Sequence, residues 1–289
     1  MTERDDVIRE TAATDVFAAF EGDLPAAKRS RSFRGLVAQY LPAIVAFFIV
    51  ILVWEGLTRI FNVESFVLPK PSEVMSSFFE TASVIWAAGF RTLFEALGGF
   101  VIGATLAVVT SLAAARWVGF REGMLPFAIA ANATPIVALA PIFNNWFSIT
   151  SPFSKMAVVA VVVYFPVMIN TTRGLLEVDP GELELMRSMA ATPSEVTRMV
   201  RIPRALPFFF ASIKVASALS LIAAIVAEYF GGPQDVLGQS IINRANLFQF
   251  PDAWAAILVA SILGIVFYLL ILGAERLFMP WHVSLRATE

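Results

Sequence analysis

Few residues in this chain have the types and spacing that bond chemistry requires. Its 289 residues include one histidine, His282, and no cysteine. That leaves no basis for a metal site, a disulfide framework or a thiol nucleophile. No lysine follows a glycine, so there is no glycine-rich phosphate loop closing in Lys-Ser or Lys-Thr. The H-E-x-x-H and G-x-S-x-G patterns are absent. No row of intramembrane carboxylates suggests a proton relay. The chain is therefore expected to be neither an enzyme nor a cofactor carrier. Its charge concentrates instead in one stretch, Asp179 to Pro207, DPGELELMRSMAATPSEVTRMVRIPRALP, between long apolar runs.

That stretch has the grammar of two short helices around a corner. Asp179 is an N-cap, with Pro180 at the first helical position and Glu182 in the first turn. Thr192-Pro193-Ser194-Glu195 is a capping box that starts a second helix at Pro193. Pro203 is expected to stop that helix, because proline lacks an N–H and restricts the residue before it. Leu183, Met186 and Met189 share a face of the first helix, and Val196, Met199 and Val200 a face of the second. Two small amphipathic helices of this kind make a plug that a partner's groove can grip. The bland alternative is a solvated charged face.

Composition says what holds this elbow. The chain is 58% hydrophobic and 15% charged, with mean hydropathy +0.74, which fits a membrane protein rather than a soluble domain. A net charge of −2 leaves no nucleic-acid footprint. The fold class expected is an all-α polytopic membrane protein with six transmembrane helices and both termini cytoplasmic. The uncharged runs are 35–54, 96–115, 124–147, 156–172, 207–230 and 253–274, with Lys214 and Glu228 inside the fifth. In domain terms, residues 1–34 are a polar cytoplasmic tail without a signal-peptide core. Residues 35–61 are the first transmembrane helix and 62–88 an extracytoplasmic connector with a short helix. Residues 89–283 are a core of five helices carrying the cytoplasmic loop 173–204, and 284–289 are a C-terminal tail. Fifteen basic residues then fall on the cytoplasmic side and five outside, Lys155 among them, the asymmetry that sets orientation.

Polar groups within the spans are the candidates for a solute path. Asn132, Thr134, Asn144 and Asn145 accompany Pro135 and Pro141 in the third run. Such groups face protein or water rather than lipid, so they read either as a pathway wall or as kinked packing with amides bonded between helices. Ser217 and Ser220 add polar points to the fifth span. Glu228 reads as a gate or as an interfacial carboxylate, and Lys214 as a lysine snorkelling to the membrane surface. Gly99 and Gly103 form a small-xxx-small surface for close helix approach, within the subunit rather than between copies.

The elbow resembles the cytoplasmic "EAA" loop of ABC-importer permeases. Glu184, Arg187-Ser188 and Ile202-Pro203-Arg204-Ala205-Leu206-Pro207 stand at the motif's spacing. Met186 replaces the motif's second alanine, Ala190 its glycine, and Arg201 precedes Ile202. Leu68-Pro69…Pro71, Ile169-Asn170-Thr171…Gly174 and Ala227-Glu228 narrow the resemblance to nitrate/sulfonate/taurine-type permeases over about residues 66–283. The resemblance implies the type I ABC-importer permease fold in a prokaryotic inner or plasma membrane. Its implied partners are two ATP-binding-cassette subunits, an extracytoplasmic substrate-binding protein, a second copy of the permease and the lipid bilayer. It implies ATPase coupling through Glu184, Met186, Arg187, Ser188, Met189, Ala190, Thr192, Val196 and Pro203. It implies no cofactor and no metal, and ATP hydrolysis in a separate subunit. The solute it implies is small, an anion or a heterocyclic vitamin precursor. A secondary transporter or channel acting alone is the alternative, and it would need coupled ionisable sites or an internal repeat.

Overall fold

The computed structural model describes residues 33–133, 135 and 138–280, with side chains from residue 41 onward. Residues 1–32 of the tail expected at 1–34, the tail expected at 284–289, Thr134 and His282 lie outside the described residues. The described chain divides into one unit up to Val50 and another from Ile51. Helix α1, Phe33–Ile60, runs through that division.

The second unit is helical throughout, with no strand among the described residues. After α1 come α2 (Pro71–Glu80), α3 (Ala82–Arg116), α4 (Val118–Asn132), α5 (Leu139–Phe147) and α6 (Pro152–Leu176). Then come α7 (Pro180–Ser188), α8 (Pro193–Val196), a π-helical turn (Thr197–Arg201), α9 (Ile202–Tyr229), α10 (Leu237–Asn246) and α11 (Phe250–Phe278). Among the described residues, five segments are long and apolar enough to cross a membrane: Leu41–Ile60, Ala82–Arg116, Pro152–Leu176, Pro193–Tyr229 and Phe250–Phe278.

The expected third span, 124–147, is not one helix. It is α4 and α5 with a break between them. Pro135 supplies no N–H to the carbonyl four residues back, so the ladder fails there. Pro141 is tolerated because it lies in the first turn of α5, where N–H groups have no intrahelical partner anyway. Between α1 and α3 lies the short helix α2, and α3 begins at Ala82, inside the expected connector 62–88. Glu73 reaches back to the Lys70 amide, accepts from Ser65 Oγ at 2.7 Å and pairs with Lys70 Nζ at 2.8 Å. The hydrogen bonds from Lys70 and Ser65 hold its carboxyl below the usual glutamate range.

The core is the packing of α3 and α9 on α6. Small residues make it dense. A Cβ added to Gly99 would stand 2.6 Å from the Met156 carbonyl oxygen, and one on Gly103 would stand 2.5 Å from that of Ala160. The Gly99/Gly103 surface therefore meets α6 of the same chain, where dispersion contacts rather than water exclusion hold helices together.

Candidate functional site

Each bend of the elbow has a local cause. Asp179 caps α7 by accepting from the Gly181 amide at 2.7 Å. At the other end the Ala190 amide bonds Arg187 O at 2.9 Å and the Ala191 amide bonds Met186 O at 3.0 Å. That is a Schellman close, with Ala190 at φ 53° in the left-handed region usually left to glycine. Glu195 then accepts from the Thr192 amide at 2.7 Å, and Thr192 Oγ1 accepts from the Glu195 amide at 3.4 Å, completing the capping box of α8.

Pro203 does not end the second helix. The chain passes from α8 through the π turn straight into α9. The Ile202 amide bonds Thr197 O, five residues back. A widened turn before proline gives its ring room that an α-helical turn would not.

The elbow is fastened at its root. Arg204 makes a two-pronged ion pair with Glu182 of α7, one hydrogen bond being 3.1 Å. Arg201 donates to Ala115 O in the last turn of α3 at 2.9 Å. Gly174 lets α6 approach the start of α9, since a Cβ there would lie 2.9 Å from Ala205 Cα. Between α7 and the root of α9 lies a cleft of about 680 Å³, walled by Leu185, Met186, Met199, Val200 and Phe208.

The structure sorts the residues singled out in the elbow. Glu184, Arg187, Ser188, Ala190, Thr192 and Pro203 are exposed, and Val196 is half-buried. Met186 turns inward at 9% exposure, whereas Met189, at the helix C-cap, stays 69% exposed. The face expected of Leu183, Met186 and Met189 is therefore split, because α7 ends at Ser188 before completing it. Leu185 at 60% and Met199 at 65% exposure join Met189 on the open surface. Leu185 was missed in the sequence, and so was the pairing of Glu182 with Arg204, since nothing local marks a contact across 22 residues.

The far end of α9 gathers a second polar group. Glu228 is fully buried. It accepts from the Gly238 amide at 2.6 Å, and its carbonyl accepts from Gln239 Nε2 at 2.6 Å. Glu95 of α3 is buried beside it, and each carboxylate keeps one oxygen without a hydrogen-bond partner. Lys155 acts on both through its charge. It is not in an outer loop, as expected, but wholly buried in the first turn of α6, donating to Ile149 O and, at 3.4 Å, to Asn144 Oδ1. Asn144 also donates to Phe230 O at 3.3 Å. The sequence expectation of no carboxylate grouping is corrected here: residues 95, 155 and 228 are far apart in the chain and meet only by folding.

The remaining pathway candidates separate. Asn132 and Asn145 are exposed. Ser217 and Ser220 are fully buried, their hydroxyls bonded to Lys214 O and Ser217 O of their own helix. Lys214 does not snorkel. It pairs with Glu275 of α11 at 2.8 Å, a carboxylate only 5% exposed. Glu275 lies 61 residues further along the chain, and nothing local marks the pairing.

Against this geometry, residues 99–281 match the family described as the binding-protein-dependent transport system inner membrane component, and the chain belongs to that family. The curated relatives are transport permeases. The formylaminopyrimidine transport permease protein ThiX of Halalkalibacterium halodurans is 28% identical over 84% of this chain and 97% of its own length. The riboflavin transport system permease protein RibX of Chloroflexus aurantiacus is 28% identical over 90% of this chain and 98% of its own. The putative aliphatic sulfonates transport permease protein SsuC of Bacillus subtilis is 25% identical over 90% and 91%. In fold, the chain resembles an amino acid ABC transporter solved with histidines (TM-score 0.55, 18% identity, 70% of this chain and 95% of that one). It also resembles the methionine transporter MetNI in inward-facing form (TM-score 0.50, 20% identity, 69% and 94%). The protein is thus a cell-membrane permease component of a binding-protein-dependent ABC importer for a small solute.

Proposed function

We propose that this chain forms the translocation path of an ATP-driven importer by alternating access, and that residues 179–204 couple it to a separate ATPase. The observation that carries this is the elbow: two capped helices, root-fastened, presenting Leu185, Met189 and Met199 to solvent. Burying such side chains in a partner's groove stabilises a complex by about 1.5–3 kcal/mol each. Glu184, Arg187 and Ser188 add polar contacts, and Ala190 and Thr192 set the corner.

In this reading α4 and α5 together make the sixth crossing, which brings both termini to the cytoplasmic side with the elbow. The partners are two ATP-binding-cassette subunits, an extracytoplasmic binding protein and a second copy of this chain. Asn132, Asn144 and Asn145 line the path, and Glu228, Ser217 and Ser220 hold the helices that bound it. The solute is a small one, of the sulfonate, taurine or nitrate type or a heterocyclic vitamin precursor. The relatives named for formylaminopyrimidine and riboflavin, each 28% identical, support the heterocycle.

The test is recovery of an ATPase with a tagged chain from host membranes. The wild type should bring down an ATP-binding subunit, and Glu184→Arg should lower its yield about tenfold, as loss of one charged contact implies. Equal recovery with both chains, or none with either, would remove the elbow from the interface.

A further inference from the structure

The contact between Arg201 and the end of α3 belongs to neither the exposed face of the elbow nor the solute path. Ala115 lies in the last turn of α3, where carbonyl oxygens have no intrahelical donor and carry the negative end of the helix dipole. The Arg201 guanidinium fills that role at 2.9 Å from a half-buried position. Its aim depends on the π turn. One extra residue in a helical turn rotates the downstream helix by about 100° relative to an unbroken α-helix. Arg201 closes that turn, so the widened segment both precedes α9 and directs this side chain at α3.

The turn is also the soft point of the elbow. Its hydrogen bonds span five residues, and Pro203 contributes none. A push delivered at α7 and α8 could be absorbed by bending there. One side-chain tie bypasses it, Arg204 to Glu182, which closes the elbow on itself; the second, Arg201 to Ala115, leaves the elbow from the last residue of the turn. The second tie reaches α3, which packs extensively on α6 through Gly99 and Gly103.

We propose that Arg201 is a positioning residue for coupling, delivering elbow movement to the α3–α6 pair from the end of the compliant π turn. This rests on the reading of the elbow as the ATPase-docking element. The chain contains no cysteine, so a single Phe94→Cys on the exposed side of α3 reports its movement through the rate of labelling by fluorescein maleimide. The permease–ATPase complex would be labelled with and without Mg·ATP, with ATP hydrolysis followed in the same sample. Arg201→Met should hydrolyse ATP within about twofold of the parent while its ATP-dependent change in labelling falls about tenfold, the factor expected for one charge-assisted hydrogen bond. Arg201→Lys, which keeps a donor and a charge, should restore most of that change. An unaltered ATP response in Arg201→Met overturns the proposal. So does equal damage in Met and Lys variants, or loss of the ATPase from the Arg201→Met complex, which would make the contact a structural tie only. If the parent chain itself recruits no ATPase, the docking reading fails and takes the proposal with it.

Discussion

Replacing Ala190 by glycine should stiffen the elbow. Ala190 sits at φ 53°, with its own amide and the next one closing α7. A side chain with a Cβ is disfavoured in that region by about 1–2 kcal/mol. Glycine enters it freely but loses more backbone entropy on folding, a penalty of about 0.5–1 kcal/mol. The difference favours Ala190→Gly by about 0.5–1 kcal/mol. A β-branched residue pulls the other way, because its second γ atom crowds the left-handed backbone further. The assay is hydrogen exchange of the amides across 186–195 in detergent or nanodiscs. These amides open locally, without unfolding the bundle. Exchange should slow about two- to fivefold in Ala190→Gly and quicken in Ala190→Val. Global melting should barely move in either, since the bundle does not depend on this corner. Identical exchange in the two variants would mean that the corner is not held left-handed, and the argument from the Schellman geometry would fall.

Two further substitutions test the frame around the elbow. Gly103→Leu should destabilise the bundle by about 3 kcal/mol or more, because its Cβ would stand 2.5 Å from the Ala160 carbonyl. Gly264→Ala, whose nearest neighbour would be Leu221 Cδ2 at 3.5 Å, should be close to neutral, and thermal melts of the purified chain compare the two. Lys155→Met should cost about 1–3 kcal/mol by removing the donor to Ile149 O and Asn144 Oδ1 together with the positive charge that acts on Glu95 and Glu228. Adding Glu95→Gln to Lys155→Met should recover a large part of that loss. A double variant no better than Lys155→Met would show that the lysine acts through its hydrogen bond to Ile149 rather than its charge.

What the sequence made legible was local. Asp179-Pro180 and Thr192-Pro193-Ser194-Glu195 act through atoms two or three residues apart, and the structure puts both caps where that chemistry requires. The position of Ala190 stood out only through the resemblance, as the place where the family motif has its glycine. Pro203 was misread because a proline rule assumes α-helical spacing, and the chain escapes it by widening one turn. The third hydrophobic run was misread because uncharged length alone does not register the break at Pro135. The cluster of Glu95, Lys155 and Glu228, and the pair of Lys214 with Glu275, were out of reach. Each looks in isolation like a charge at a membrane edge, and only packing brings the opposite charges together.

The distribution of stiffness in the elbow is set by these details and bears on how it can work. Helices as short as α7 and α8 are marginal in water on their own. Their caps offset part of that, satisfying end groups that would otherwise be open. The Glu182–Arg204 pair then fixes α7 to α9. Compliance is left to the five residues from Thr197 to Arg201, where the backbone bonds span five residues and no side chain is fully buried. A partner pressing on Leu185, Met189 and Met199 would thus move the capped corner as one body. Displacement would concentrate in the π turn, and any motion that escapes it must leave through the contacts at its root. A regular α-helical turn there would rotate Arg201 away from the Ala115 carbonyl. The widened turn brings α3 into the path of the motion as well, which is the physical reason to look for coupling at the base of the elbow rather than at its tip.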